Sequence, residues 1–276
     1  MGKIIALDAG HGMNTAGKRC LKAIDPNQTR EWFLNDRIAD MVQEGLAAYD
    51  CRVLRVDDTT GARDVSLSAR VRAANTAGAD IYISVHHNAG ICGGSGGGVS
   101  VHYYGAGKGD RQVKARKLYN AVITRNHLAG NRSQKIVPSS GLYVLKHTKM
   151  PAFLLENGFM DSQADTPVIL TRAHAEATAR GIVDYLAAEL ELAGRVTAPV
   201  EDVTDKVIHL GDYYRAYTGK PVTLCAALTS LGINSTYAFR KRIAAANEMA
   251  GYIGTAAQNT YMYNLLKAGL LKRARQ

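Results

Sequence analysis

The chain has 276 residues, 46% hydrophobic and 21% charged, a balance that excludes disordered and collagen-like chains and allows a sizeable buried core. Lys and Arg number 34 against 24 Asp and Glu. The resulting +10 points to an anionic partner, whether nucleic acid, a membrane surface or an anionic cell-wall polymer. No uncharged apolar run approaches the roughly 18 residues that a membrane span needs.

The predicted elements alternate between strand and helix. Lys3–Asp8 is a buried strand ended by Gly10 and Gly12. Its short apolar stretch, with one Lys before it, does not make a signal peptide, so synthesis in the cytoplasm is expected. From Glu31 to Tyr49, Leu34, Ile38, Met41, Val42, Leu46 and Tyr49 recur at helical spacing. Cys51–Val56 reads as a second strand, and Ser66 caps a helix carrying Leu67, Val71 and Ala74, with Gly78 as its stop. Ile81–Val85 is a third strand. A fourth, Gly98–Tyr104, follows a glycine-rich loop, and a helix runs from about Lys108 to His127. Leu142–Leu145 and Ala152–Glu156 are read as two further strands, Thr166 as the cap and Pro167 as the first position of a helix, and Arg172–Leu192 as an alanine-rich helix.

This order predicts an α/β domain over residues 1–193: a mostly parallel six-stranded sheet flanked by helices. Residues 194–206 lack a clear period and read as a linker; 207–276 read as a small, mainly helical second domain, with helices at Val222–Leu231, Thr236–Met249 and Asn259–Leu271. Cys20, Cys51, Cys92 and Cys225 form no CxxC pair, which excludes a zinc ribbon; free thiols are expected, with Cys51 and Cys225 in the core.

Four polar residues stand out by position. His11 follows the first strand, Glu31 opens the first long helix, His86 ends the third strand and Glu156 ends the sixth. Sites in open α/β sheets collect at the carboxyl ends of strands. Two imidazoles and one carboxylate make the ligand set of a catalytic zinc ion, and a further carboxylate beside it serves as general base. The arithmetic fits His11, Glu31 and His86 as ligands and Glu156 as base. A strand-end His is also commonly structural, and a Glu at a helix start commonly a dipole partner. Glu156 is harder to explain that way, because it ends the apolar run AFLL, where an unpaired charge costs several kcal/mol.

The strings IIALDAGHG, EWFLN, ISVHHNAG and PAFLLENGFMD, in that order, resemble those of the zinc-dependent N-acetylmuramoyl-L-alanine amidases of the amidase-3 type, over about residues 1–190. The resemblance implies one Zn²⁺ held by His11, Glu31 and His86, with Glu156 as the catalytic acid. It implies hydrolysis of the amide between N-acetylmuramic acid and the L-alanine of the peptidoglycan stem. The chain departs from the family pattern at Ala9, Met13 and His87. Consecutive strand side chains point to opposite faces, so His86 rather than His87 is the expected ligand, leaving His87 as a substrate-contacting rim residue or simply exposed. Asp8 is read as a residue orienting His11 or as a turn residue, and Asn88 and Asn157 as substrate contacts or loop caps. The remaining histidines, His102, His127, His147, His174 and His209, have no ligand-like company.

The C-terminal stretch from about Asn234 resembles the wall-binding modules of Gram-positive phage lysins, which makes peptidoglycan and anionic wall polymer the expected partners. It implies an endolysin that acts after release by a holin, with a bacterial autolysin as alternative. Arg240, Lys241 and Arg242 after Gly232-Ile233-Asn234 leave a helix-turn-helix open as a further reading, although nucleic acid is not the expected partner. A zinc peptidase on the stem peptide and a non-catalytic wall-binding protein are the rival functions.

Overall fold

The computed structural model describes residues 2–105, 109–195, 213–220, 223–247, 249, 252–254 and 256–274. Two compact units divide the chain, Met1–Val196 and Thr197–Gln276. Most of the predicted linker, from residue 196 onward, lies outside the described residues.

The first unit is a mixed α/β sheet with helices on both faces. Its strands are β1 (Lys3–Ala9), β2 (Cys51–Arg55), β3 (Ile81–Asn88), β4 (Val99–Tyr103), β5 (Ile136–Pro138) and β6 (Ala152–Phe159), in the spatial order β2-β1-β3-β6-β4-β5. β2, β1, β3 and β6 run parallel; β4 is antiparallel to β6, and β5 follows β4. The helices are α1 (Glu31–Leu46), α2 (Leu67–Thr76), α3 (Asp110–Asn126), α4 (Tyr143–His147), α5 (Thr166–Ile169) and α6 (Arg172–Glu189).

Register and pleat assign the two faces. Ile5, Leu7, Ile83, Val85, Phe153, Leu155 and Val101 share one face, which α1, α3 and α6 cover. On the other, Ala6, Tyr82, Ala152 and Leu154 pack with Val71, Ala74, Val144 and Leu145 of α2 and α4. Toward the carboxyl ends of β1, β3 and β6 this second face turns polar, with Asp8, Ser84, His86 and Glu156.

Leu142–Leu145 is not a strand. Tyr143–His147 forms one helical turn that buries Val144 and Leu145, and Tyr143 and His147 stack at i,i+4 with centroids 4.2 Å apart. A four-residue apolar run fits either state until its neighbours are known. The fifth strand is instead Ile136–Pro138, a three-residue edge that ends on a proline, as edges allow. β3 and β6 also run beyond their predicted ends, so His86 and Glu156 lie inside strands. Thr166 is not a cap: its hydroxyl donates to Phe159 O, and Asp165 holds the N-cap position. Cys225 is half-buried rather than in the core; the buried thiols are Cys51 and Cys20, the latter packed with Leu34, Met160 and Ile169.

In the second unit, α7 (Leu224–Ser230), α8 (Tyr237–Ala246) and α9 (Ala256–Lys267) surround buried Leu228, Ile243, Met262 and Leu266. Thr223 and Thr236 cap α7 and α8 through their hydroxyls. No helix among the described residues is long and apolar enough to cross a membrane.

Where α3 crosses α6 the packing depends on a glycine. A Cβ on Gly181 would lie 2.6 Å from Val122 Cα and 2.7 Å from Ala121 O. Gly181→Ala therefore forces two backbones apart and should cost about 2 kcal/mol by urea denaturation. An unchanged midpoint would show that the two helices are not locked together.

Candidate metal centre

The first strand delivers His11 through a tight turn. Gly10 N donates to Val85 O, and His11 adopts φ 69°, a left-handed conformation uncommon outside glycine. Gly10 lies flat under the neighbouring imidazole: a Cβ there would overlap the His86 ring. Glu31 is the first residue of α1, where the helix dipole favours a carboxylate. His86 Nδ1 lies 3.0 Å from Glu31 Oε1, and His11 Nε2 lies 3.3 Å from Oε2. The two rings meet edge to face at 4.9 Å.

One ligand atom from each of His11, Glu31 and His86 falls within 4.8 Å of the others. Glu31 is 1% exposed, yet its Oε2 accepts no hydrogen bond. Burial alone raises its carboxyl pKa, but the neighbouring imidazoles of His11 and His86 outweigh that and hold it well below the carboxylate range. Two imidazole nitrogens and an ionised, under-satisfied oxygen make a donor set that fits a divalent cation of the zinc type.

Glu156 faces the same space. Directly across from His86 in the register, it forms no hydrogen bond through its buried Oε2. Burial pushes its pKa up to about 7; His86 pulls it down, Glu31 pushes it up, and Lys18 and Arg132 pull it down. Lys18 Nζ also stands 3.7 Å from Glu31 Oε2.

The other predicted site residues sit differently. His87 is neither a rim residue nor exposed: alternation turns it to the opposite face, where it is 3% exposed and its Nδ1 donates to Asn35 Oδ1 at 2.8 Å. Burial, then the nearby His174, holds its pKa well below the usual histidine range. Asn157 is likewise turned inward and fully buried, donating to His86 O at 3.0 Å, so it neither reaches the cleft nor caps a loop. Asn88 caps its own loop, Oδ1 accepting from Ala89 N. Asp8 takes no bond from His11. Its carboxylate pairs with Arg70 and accepts from Tyr82 and Ser84, at 2.8 and 2.7 Å.

Three features escaped the sequence reading. Arg70 is 1% exposed; it pairs with Asp8 and donates to Ala9 O and His11 O at 2.8 and 3.0 Å, clamping the turn that presents His11. A cation one residue before Val71 on the buried stripe of α2 was the signal. Asn35, one turn after Glu31, donates to Gly10 O and more weakly to Glu31 Oε1, joining His87, Glu31 and the His11 turn. Ser100, His102 and Ser139 extend the polar face beyond Glu156: Ser100 is its register partner, and His102 Nδ1 lies 2.9 Å from Ser139 Oγ.

A His–Glu–His cluster beside a carboxylate of raised pKa, at the carboxyl ends of parallel strands, defines a hydrolase of the α/β class. The chain belongs to the N-acetylmuramoyl-L-alanine amidase family, Amidase_3, which matches residues 5–188. It is 30% identical over 194 residues to the N-acetylmuramoyl-L-alanine amidase CwlM of Bacillus licheniformis, covering 70% of this chain and 71% of that protein. It is 29% identical to the sporulation-specific N-acetylmuramoyl-L-alanine amidase of Bacillus subtilis strain 168, covering 64% of each. Among solved structures it is similar to an N-acetylmuramoyl-L-alanine amidase from Clostridium difficile 630, with TM-score 0.60, 25% identity, and coverage of 69% of this chain and 97% of that one. The catalytic domain of CwlV from Bacillus (Paenibacillus) polymyxa shares the fold, at TM-score 0.59 and 21% identity over 69% of this chain and 99% of that domain.

Gly10→Ala displaces the His86 ring and should abolish stoichiometric zinc, measured by elemental analysis; full occupancy would refute the cradle. His87→Phe removes the donor to Asn35 and should weaken zinc binding about tenfold, the usual size of an outer hydrogen bond's contribution, in competition with a chromogenic chelator. An unchanged affinity would mean that Asn35 holds Glu31 unaided.

Proposed function

We propose that this chain is a zinc-dependent peptidoglycan amidase that cleaves the bond between N-acetylmuramic acid and L-alanine, with His11, Glu31 and His86 holding the ion. The observation that carries the reading is the position of Glu156: a buried carboxylate with an unpartnered oxygen and a pKa near 7, across the register from a ligand of the cluster. Bound zinc supplies Lewis-acid polarisation of the scissile carbonyl and of a water molecule.

The protein's own groups do the rest. Glu156 takes a proton from the attacking water as the new C–O bond forms. It returns that proton to the L-alanine nitrogen as the C–N bond breaks, leaving a lactyl carboxylate and a free amine. Arg70 holds the turn that presents His11. The second unit, basic and rich in tyrosine, is the segment assigned to holding the enzyme on anionic wall. In this reading the protein is lytic toward Gram-positive walls.

Glu156→Gln should keep one zinc per chain and lose activity about 10³-fold, the scale of general acid–base catalysis; an active variant would end its assignment. Purified Gram-positive walls incubated with the protein should gain L-alanine amino termini without new reducing sugars, and a chelator should stop the reaction. New D-amino or diamino-acid termini would instead identify a stem-peptide peptidase, and chelator-insensitive release would remove the metal from the reaction.

A further inference from the structure

The basic excess is sharply localised. Residues 200–212 contain the acids Glu201, Asp202, Asp205 and Asp212, whereas Tyr213 to Gln276 holds nine Lys and Arg against the single acid Glu248. Within the second unit a cleft of about 410 Å³ is lined by Tyr214, Arg215, Ser230, Leu231, Ile233 and Arg273. Three separate segments build it: the first described residues of the unit, the end of α7 with the turn after it, and the C-terminal strand-like stretch. Tyr213 bridges to Lys272, and Tyr214 N donates to Leu271 O, which ties the first segment to the last.

Arg273 is set in place. Its Nε donates to Tyr213 O at 3.0 Å, and its guanidinium lies over the Tyr214 ring at 5.7 Å. Arg215 is exposed. Two guanidinium groups lining one cleft both attract an anion seated in it. Arginine presents a planar fork that matches phosphate oxygens, and a guanidinium already held by stacking loses little freedom on binding. Leu231 and Ile233 supply an aliphatic wall to the cleft, suited to carbon chains rather than to bare ions.

The geometry points to this cleft as a binding site for the phosphates of a polyol-phosphate polymer, Arg215 and Arg273 gripping the phosphate and Leu231 and Ile233 the polyol carbons. The assignment rests on the amidase reading only for where such a polymer is met. Nucleic acid offers phosphate too, but it asks for exposed groups that read or stack on bases, and this cleft presents an aliphatic wall beside its arginines.

The test is co-sedimentation of the full chain, carrying Glu156→Gln so that nothing is digested. The targets are purified Gram-positive walls bearing polyol-phosphate and the same walls stripped of it by hydrofluoric acid. Stripping should weaken binding at least tenfold, and added salt should weaken binding to intact walls. Arg215→Gln and Arg273→Gln should each weaken binding to intact walls about tenfold, the worth of one charge-assisted hydrogen bond, and leave binding to stripped walls unchanged. Arg215 is exposed, so its variant stays informative if Arg273→Gln is unstable.

Equal binding to stripped walls, or an Arg215→Gln chain that binds intact walls like its parent, overturns the site. So does competition by duplex DNA that matches soluble polyol-phosphate at equal phosphate concentration. Cleavage of a soluble muropeptide, measured with Glu156 intact, should be unaffected by Arg215→Gln. Failure of the parent protein to cleave that muropeptide would fall on the amidase reading, not on the cleft.

Discussion

A carboxylate with 1% exposure needs compensation, and much of the catalytic unit can be understood as the compensation for Glu31. The helix start beneath it supplies partial positive charge, and two imidazoles face its two oxygens. Presenting one imidazole requires a turn in which His11 takes a left-handed conformation, and presenting the other requires that Gly10 have no side chain. The strained turn is in turn fixed by Arg70, itself buried and neutralised by Asp8. The result is a negative, buried carboxylate that faces two imidazole nitrogens and is incompletely satisfied at Oε2. That is an arrangement with little to recommend it for stability and much for holding a cation.

How far this was readable in advance depends on the scale at which a residue is positioned. Strand ends and the helix start are set by local patterning, so His11, Glu31, His86 and Glu156 could be gathered from the sequence. The pleat separated His86 from His87 correctly, but its further consequence was missed: the face opposite a cleft is a core, so His87 and Asn157 are buried partners and not rim residues. Arg70 and Asn35 act across distances in sequence that no periodicity encodes. Each looks like an ordinary polar residue on a helix until the neighbouring strand turn is seen. The Leu142–Leu145 and Ile136–Pro138 exchange has the same origin, since short apolar runs take their state from what covers them.

Charge is organised on a coarser scale than the site. The catalytic cleft is lined by groups whose protonation is tuned by burial and by one another, as with Glu156 between Glu31 and His86. The second unit makes a different use of charge, with a preponderance of cations and tyrosines and almost no acid after Asp212. One part of the chain concentrates its electrostatics within a few ångströms; the other carries a broad excess of positive charge. A single net charge for the whole protein conceals both.

The reversal of β4 in the sheet carries an implication for variation. Because β4 runs against β6, the residues beside Glu156 belong to the beginning of a strand, and the glycine-rich segment preceding it approaches the cleft from there. That segment is fastened by Asp165, which accepts from Gly98 N and Phe159 N, and by Asn131, which accepts from Gly97 N. The His11, Glu31 and His86 half of the site comes from the turn after β1, from α1 and from β3, and the opposite wall from β4, β5 and their loops. Substitutions can thus accumulate in the wall without disturbing that cluster. Such a division separates the residues that build the hydrolytic centre from those that shape the cleft around it.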